Sequence, residues 1–229
     1  NEHNVLKNIS FTANPGETVA LIGHTGSGKS SIINVLMRFY EFYEGDILID
    51  GQSIKKYPIE EIRRQMGLVL QDSFLFYGDV SRNIRLMNDE LDDVAIQDAA
   101  EFVHANHFIE QLPEQYHAKV IERGASYSSG ERQLISFART IIRDPKILVL
   151  DEATANIDTE TELLIQESMN KMRKGRTTIA IAHRLSTIRD ADLILVLDKG
   201  EIIERGKHDD LIAKKGIYYD MYQLQSMSD

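Results

Sequence analysis

Short apolar runs of strand length recur along the chain and limit the folds that it can adopt. Each run is rich in β-branched residues and is bounded by polar or turn residues. The six runs read TVALIG, GDILIDG, MGLVLQD, KILVLDE, TTIAIAH and LILVLDKGEII. Helical patterns lie between most of them, notably Lys29 to Phe39, Glu131 to Ile142 and Thr159 to Met172. Because strands that alternate with helices pack as a mainly parallel sheet covered by helices, the sequence predicts an α/β fold.

Two features depart from this alternation. ILIDGQSI and LVLDKGEII each place turn residues between two apolar runs, so both are predicted to form β-hairpins. From about Ser73 to Asp144 no convincing strand is found, and segments such as LDDVAIQDAAEFVHANHFIEQL have a helical pattern. We therefore predict a core made of residues 1–72 and 145–229, with a helical subdomain at 73–144 inserted into it.

The composition argues against several classes of protein. The net charge of -10 disfavours a nucleic-acid partner, because neutralising phosphates requires a basic surface. No apolar run approaches the roughly 20 residues that span a bilayer, and the first residues do not resemble a signal peptide. The chain has no cysteine, so neither a disulfide framework nor a thiolate metal site is predicted.

A glycine-rich loop follows the first run and opens a helix. It reads GHTGSGKS and matches the pattern G-x-x-x-x-G-K-S in the strand-to-helix context that this motif requires. Backbone N–H groups of such a loop surround phosphate oxygens, while Lys29 reaches the β and γ phosphates and Ser30 can hold Mg²⁺. A chance match in a glycine-rich turn is the alternative. The predicted nucleotide-binding residues of the loop are Gly23, His24, Thr25, Gly26, Ser27, Gly28, Lys29, Ser30 and Ser31.

Polar side chains end three further runs. KILVLDE ends in Asp151, a predicted Mg²⁺ ligand, and Glu152, predicted to orient or deprotonate the attacking water. Gln71 and His183 end two more runs, and strand ends are where an α/β sheet builds its site. Gln71 is predicted to touch Mg²⁺ or the water, and His183 to donate to the γ-phosphate. Each residue alone is more often an ordinary solvated side chain, but a nearby phosphate loop favours the catalytic interpretation.

The order of the phosphate loop, Gln71, YSSGERQ, ILVLDEATANID and His183 resembles the nucleotide-binding domain of ABC transporters over nearly the whole chain. The resemblance implies the ABC ATPase fold, a P-loop NTPase RecA-like core with an antiparallel β part and an inserted α-helical subdomain. It also implies that ATP and Mg²⁺ are bound, and that two such domains hold each ATP between the P-loop of one and the signature motif of the other. The residues implied for the signature and the D-loop are Ser128, Ser129, Gly130, Glu131 and Asp158.

Within this family the chain resembles exporters. DEAT has Ala153 where importers usually have proline, and ERG at Glu122 to Gly124 resembles the exporter X-loop, although Lys119 replaces a common glutamate. The D-loop has Asn156 where alanine is usual. The adenine-stacking aromatic of the family lies upstream of the first strand and is not in this sequence. The resemblance therefore implies the C-terminal part of a longer chain, tethered through an upstream transmembrane domain to the cytoplasmic side of the membrane.

The signature is altered at three of the five positions of the usual L-S-G-G-Q, since it reads YSSGE. Ser128 and Glu131 also predict a capping box, in which Ser128 caps the helix and Glu131 reaches back to it, and this geometry is compatible with a weakened phosphate site. Ser129 adds a side chain where the backbone should approach closely. Glu131 adds like charge, and two unit charges about 4 Å apart cost about 4 kcal/mol at an effective dielectric near 20, part of which Arg132 would offset. This loop is predicted to hold ATP weakly.

The chain's own catalytic residues, Lys29, Glu152 and His183, are all present. The defect therefore affects the half-site that the chain lends to a partner, which predicts a heterodimer with a second, non-identical ABC subunit. One ATP site would be competent and one degenerate, as in heterodimeric bacterial multidrug exporters. The predicted function is ATP hydrolysis that powers export of drugs or lipophilic compounds. A soluble ABC ATPase, an ATP-sensing module without hydrolysis and an ABC importer ATPase remain the alternatives.

Overall fold

The computed structural model describes residues 5–86, 88–152 and 157–227. The strands in these ranges are β1 (Thr18–Ile22), β2 (Leu48–Ile49), β3 (Gln52–Ser53), β4 (Met66–Val69), β5 (Gly78–Asp79), β6 (Lys119–Val120), β7 (Ile147–Asp151), β8 (Thr177–Ile181), β9 (Leu193–Asp198) and β10 (Glu201–Gly206). The α-helices are α1 (Lys29–Leu36), α2 (Ile59–Gln65), α3 (Val80–Arg85), α4 (Asp93–Phe102), α5 (Asn106–Ile109), α6 (Ser129–Ile141), α7 (Thr159–Arg173), α8 (Leu185–Asp190), α9 (His208–Lys214) and α10 (Ile217–Ser226). None of the helices in the described ranges has both the length and the apolarity that crossing a bilayer would require.

These elements form two compact units. Of the described residues, the first unit comprises 5–66, 146–152 and 175–227, and the second comprises 67–145 without residue 87, together with 157–174. The sequence predicts a different division, with an inserted subdomain at 73–144. That division stays a prediction.

The first unit is built on a largely parallel sheet with the strand order β10-β9-β1-β8-β7. β1 runs parallel to both β8 and β9, and β7 runs parallel to β8. β1 is buried along its whole length, as are the central residues of β7, β8 and β9. Near-continuous burial is typical of parallel strands covered on both faces, which explains why these runs are apolar without alternation. The two predicted hairpins are present, as β2 with β3 and as β9 with β10.

The carboxyl ends of three parallel strands lie level in this sheet. Ile181 at the end of β8 is in register with Leu21 of β1 on one side and with Asp151 of β7 on the other. The segments that follow these strands therefore leave the sheet at the same edge. This edge receives the phosphate loop after β1, Glu152 after β7 and His183 after β8.

The second unit is mainly helical and contains α3 to α7. The expectation that Ser73 to Asp144 holds no strand was wrong, because β5 and β6 pair there in an antiparallel manner. Each of these strands has only two residues, which is too short for an alternating pattern to be recognised in the sequence. The long helical pattern from Leu91 is also divided, since α4 ends at Phe102 and His104 has a φ of 61° before α5 begins.

Candidate functional site

The phosphate loop joins β1 to α1 through a conformation that glycine makes possible. A Cβ on Gly23 would lie 2.4 Å from the backbone oxygen of Leu197, closer than real side chains approach a carbonyl. Gly28, which precedes α1, has a φ of 109° in the left-handed region. The carbonyl of Ser27 accepts a hydrogen bond of 2.9 Å from the N–H of Gly200, which ties the loop to the turn between β9 and β10. His24, Thr25 and Gly26 form the exposed tip of the loop.

Lys29 extends across this loop. Its Nζ donates to the carbonyl oxygens of Gly23 at 2.6 Å and His24 at 2.9 Å, and to the hydroxyl of Ser27 at 3.3 Å. Burial lowers the pKa of Lys29, and the nearby carboxylate of Asp151 acts in the opposite direction. The ammonium group is therefore held over the loop by acceptors that phosphate oxygens could replace. Ser30, the second residue of α1, is exposed.

Glu152 is a buried carboxylate whose two oxygens are both hydrogen-bonded. Its side chain belongs to a residue that is 1% exposed. Oε2 accepts from the backbone N–H of His183 at 2.8 Å and of Arg184 at 3.0 Å, and Oε1 accepts from the hydroxyl of Thr187 at 2.5 Å. The N–H of Glu152 in turn donates to the carbonyl of Ile181. The predicted water-activating group is thus firmly attached to the loop that follows β8.

His183 lies in this same loop and is half-buried. Its carbonyl oxygen accepts a hydrogen bond from Nε2 of Gln225, on α10. Burial lowers the pKa of the imidazole, while the charges of Glu152 and Asp151 act in the opposite direction, so the neutral ring is favoured near neutral pH. Of the residues singled out in the sequence, the first unit thus brings Lys29, Asp151, Glu152 and His183 to one sheet edge.

Two residues of this edge were missed by sequence analysis. Thr187 binds Glu152 from within α8, and Gln225 binds His183 from 42 positions further along the chain. Neither belongs to a spacing pattern that indicates a site. Only the folded structure brings a C-terminal helix to the loop after β8, so no sequence signal could have identified Gln225.

In the second unit, Gln71 is exposed and lines a cavity of about 430 Å³. The other walls of this cavity include Glu122 from the predicted X-loop and Ser129 from the predicted signature. Gln71 therefore lies beside the start of α6, two residues beyond the end of β4 at Val69. Its predicted contact with Mg²⁺ or the attacking water stays a prediction.

Two arginines of α6 hold the segment that follows Gln71. Arg132 donates to the carbonyl of Ser73 at 3.2 Å and to that of Tyr127 at 2.7 Å. Arg139 donates to the carbonyl of Phe74 at 3.2 Å. Burial lowers the pKa of Arg139 to about 10. Because both guanidinium groups are directed at main-chain carbonyls, the course of this segment depends on α6.

The predicted signature begins α6 and forms the capping box predicted from the sequence. The hydroxyl of Ser128 accepts from the N–H of Glu131 at 3.1 Å, and Oε2 of Glu131 accepts from the N–H of Ser128 at 2.9 Å. That prediction is confirmed. Ser129 is the first residue of the helix, and a Cβ on Gly130 would lie 2.3 Å from Cγ2 of Thr161 on α7. The contacts recorded for Arg132 in the described ranges are with carbonyls, and they include no ion pair with Glu131.

Asp158 caps α7 with its side chain. Its carboxylate accepts from the N–H of Thr161 at 2.9 Å, and hydrogen bonding with Thr161 lowers the pKa of Asp158. Ala153 and Asn156, on which the exporter and D-loop comparisons partly depend, lie outside the described residues. Among residues 5–86, 88–152 and 157–227, no cluster of three or more His, Cys, Asp or Glu side chains could hold a metal ion unaided.

Comparisons with known proteins agree on one family. A family model described as ABC transporter matches residues 6–155. The "Probable multidrug resistance ABC transporter ATP-binding/permease protein YheH" of Bacillus subtilis is 58% identical over 96% of the chain, which covers 33% of that protein. A "Fatty acid ABC transporter ATP-binding/permease protein" of Mycobacterium bovis is 48% identical over 95% of the chain, which covers 34% of that protein. The chain thus spans about a third of the length of these relatives.

A solved structure gives the same result in three dimensions. It is titled "Structure of a bacterial Atm1-family ABC exporter with ATP bound". The chain superposes on it with a TM-score of 0.90 at 43% identity, over 98% of this chain and 39% of that one.

Proposed function

The chain belongs to the ABC transporter family and is an ATPase domain of that family, and from this premise we propose which of its residues bind and hydrolyse ATP. Backbone N–H groups of the loop from Gly23 to Ser31 surround the phosphates, and Lys29 contacts the β and γ phosphates. Glu152 orients or deprotonates the attacking water, and His183 donates to the γ-phosphate. The observation that supports these roles best is the level register of Leu21, Ile181 and Asp151, after which the phosphate loop, His183 and Glu152 follow at one edge.

Lys29 illustrates how the site suits phosphate. Its ammonium group has carbonyl and hydroxyl acceptors on the loop, so it is already positioned where anionic oxygens would lie. The exposed tip at Thr25 and Gly26 leaves backbone groups accessible, and a Cβ on Gly26 would meet no heavy atom within 4 Å. An anion with several oxygens can therefore enter the loop without moving the buried strand beneath it.

The metal proposed here is Mg²⁺, held by Ser30 and Asp151. Mg²⁺ prefers oxygen ligands and usually keeps one or two protein groups together with phosphates and waters, so a hydroxyl next to a carboxylate suits it. When bound it would offset the negative charge of the phosphates. The nearness of Asp151 to Lys29, expressed in the pKa of that lysine, agrees with a carboxylate close to the phosphate loop.

Glu152 can act on water only after its buried side chain becomes accessible. One oxygen accepts from two N–H groups of the loop after β8, the other accepts from Thr187 of α8, and the residue is almost fully buried. We infer that this conformation represents a resting state, in which the carboxylate supports the loop that carries His183. Catalysis then requires this buried carboxylate to become accessible to the attacking water.

A Glu152→Gln variant of the assembled full-length protein tests this function. The amide oxygen can accept from the N–H groups of His183 and Arg184, while the amide nitrogen can donate to the hydroxyl of Thr187, so the fold should tolerate the change. We expect ATP binding to persist and phosphate release to fall by a factor of about 100 or more. Turnover close to that of the unaltered protein would remove Glu152 from its role.

We also propose that the domain powers export across a membrane. Support comes from the multidrug resistance and fatty acid transporters among its relatives, which are about three times as long as the chain. The chain would then act on the cytoplasmic side, attached to transmembrane domains of its own polypeptide and of a partner, and would drive outward transport of drugs or lipophilic compounds. Recovery of the full-length protein in the aqueous rather than the membrane fraction would favour a soluble ABC ATPase.

The partner proposed here is a second, non-identical ABC subunit. The capping box supports this proposal, because the N–H groups of Ser128 and Glu131 are already used by side chains of the same motif. A phosphate at this helix start would find fewer free donors and a carboxylate in addition. The site that this chain completes for a partner would therefore be degenerate, whereas the site built on its own Lys29 and Glu152 would be competent.

Expression of the full-length chain without a partner tests the heterodimer. In a homodimer both ATP sites would contain the altered signature, so turnover should fall far below that of the complex with the non-identical partner. Hydrolysis at a similar rate without the partner would contradict the heterodimer while leaving the ATPase function intact. Wild-type complex without any turnover would instead contradict the ATPase function.

A further inference from the structure

Both backbone polar groups of His183 are bound by side chains of other elements. Its N–H donates to Oε2 of Glu152 at 2.8 Å, and its carbonyl accepts from Nε2 of Gln225. β8 ends at Ile181, and beyond it the N–H of Ala182 still donates to the carbonyl of Leu21. Since peptide groups are planar, holding the N–H before and the carbonyl after one residue restricts its φ and ψ. These two restricted angles fix the direction in which the His183 side chain leaves the backbone.

The helix that supplies Gln225 is anchored at its other end. The carboxylate of Glu204 on β10 accepts from the N–H groups of Ile217 at 3.0 Å and Tyr218 at 2.8 Å, at the start of α10. The hydroxyl of Tyr218 lies 2.6 Å from Nδ1 of His208, and Tyr218 is 1% exposed. α10 therefore has a fixed start and a buried face, which limits how far its last turn can move.

The buried face of α10 packs beneath the catalytic edge. Tyr218 belongs to a core cluster with Ile22, the last residue before the phosphate loop, and Ala182, the last residue before His183. Met221 and Tyr222 pack against the same cluster. A cavity of about 90 Å³ is lined by this face together with Gly23 of the phosphate loop and His183 of the loop after β8. α10 thus packs against the residues that precede both loops. Its direct hydrogen bond to the loop that carries His183 comes from Gln225.

We propose that Gln225 is a positioning residue for His183, and that the anchored helix α10 holds Gln225 in place. This inference rests on the proposed role of His183 at the γ-phosphate. In this role Gln225 acts through the backbone of His183. It holds the peptide group after His183, so that the imidazole is directed at the phosphate before ATP arrives and needs no reorganisation during the reaction.

The test measures phosphate release by the assembled full-length protein at varied ATP concentration. Gln225→Ala should lower kcat by about fivefold, the factor that corresponds to one ordinary hydrogen bond lost from the transition state, and should leave KM within about twofold. Gln225→Glu has the same shape but directs a carboxylate oxygen at the carbonyl of His183, so it should be at least as slow. Gln223→Ala, on the same helix, removes the same type of side chain and should keep the wild-type kcat.

A double-mutant cycle separates positioning from general support. If Gln225 acts through His183, adding Gln225→Ala to a His183→Ala protein should slow it no further. Melting temperatures of the single Gln225 variants within about 2 °C of wild type would show that the fold is retained.

Three results would overturn the inference: an unchanged kcat in Gln225→Ala, an equal loss in Gln223→Ala, or fully additive losses in the double variant. These outcomes leave the proposed ATPase function standing, because the wild-type protein still hydrolyses ATP in each. If the wild-type protein releases no phosphate, the ATPase proposal fails first, and this inference fails with it.

Discussion

The hydroxyl of Thr187 donates to Oε1 of Glu152 at 2.5 Å, inside a part of the first unit where both residues are 1% exposed. Two backbone N–H groups, from His183 and Arg184, bind the other carboxylate oxygen. A buried carboxylate is stable only when its oxygens are hydrogen-bonded, so each of these donors matters to the free energy of unfolding. Glu152 consequently supports the loop that carries His183 in addition to its proposed role in hydrolysis.

Replacing Thr187 tests this support. Thr187→Val keeps the volume but removes the donor, so the purified chain should lose about 1.5 to 3 kcal/mol of unfolding free energy, the usual range for a hydrogen bond to a charged group. Thr187→Ser keeps the hydroxyl and removes a methyl group, so it should lose no more than about 1 kcal/mol. Urea titrations of both variants measure the difference. A valine variant as stable as the serine variant would show that the hydroxyl contributes little.

Gly130 tests the close approach of α6 and α7. A Cβ there would lie 2.3 Å from Cγ2 of Thr161, which cannot be accommodated without movement. Gly130→Ala should therefore destabilise the chain by about 1 to 3 kcal/mol, as other overpacked sites do. Thr161→Ser removes the obstructing methyl group and keeps the N–H that binds Asp158, so the double variant should recover most of the loss. The clash would be disproved if Gly130→Ala were as stable as wild type in thermal unfolding.

Glu131→Gln separates the charge of the altered signature from its capping role. Glutamine can also complete a capping box with Ser128, so the unfolding free energy should stay within about 0.5 kcal/mol of wild type. In the assembled protein, removing the like charge should tighten ATP binding at the proposed degenerate site by about tenfold or more. Nucleotide-binding titrations of the complex would measure this. Equal affinity would mean that Glu131 does not face the phosphates.

His183 predicts a pH dependence of stability. Burial lowers the pKa of His183 below its ordinary value of 6.5, so between these two values the unfolded chain binds more protons than the folded chain. The free energy of unfolding should therefore fall as the pH decreases below 6.5, and this contribution should be absent above 6.5. His183→Gln should show a flatter dependence in that window. Superimposable pH curves for the two proteins would contradict a buried, neutral imidazole.

Much of the fold was predictable because the main signals are local. The ABC ATPase fold expected from the sequence is confirmed by the family match and by the superposition on an exporter structure. Apolar strands such as β1 and β7 are buried on both faces, so their composition alone reveals them. The pair β5 and β6 was missed because it depends on contacts between residues about 40 positions apart rather than on a local pattern.

The site was predictable to the extent that its residues follow strands. Lys29 could be named from the motif of the phosphate loop. Asp151, Glu152 and His183 could be named because parallel strands end at a common edge, and the register of β8 with its neighbours agrees with that argument. Gln225 could not, since a helix position carries no indication of which loop it will reach. Likewise, the capping box could be recognised from spacing, but the contacts of Arg132 with two carbonyls could not.

Gln225, Glu152 and Lys29 each bind main-chain atoms at the end of the sheet, where strands no longer bind one another. In the interior of β1, one aliphatic residue can replace another, because the ladder is made by peptide groups that every residue possesses. At the end of the sheet, by contrast, particular side chains determine the course of the polypeptide. Saturation mutagenesis should therefore find wide tolerance in the strands and very little at Gln225, Glu152 and Lys29.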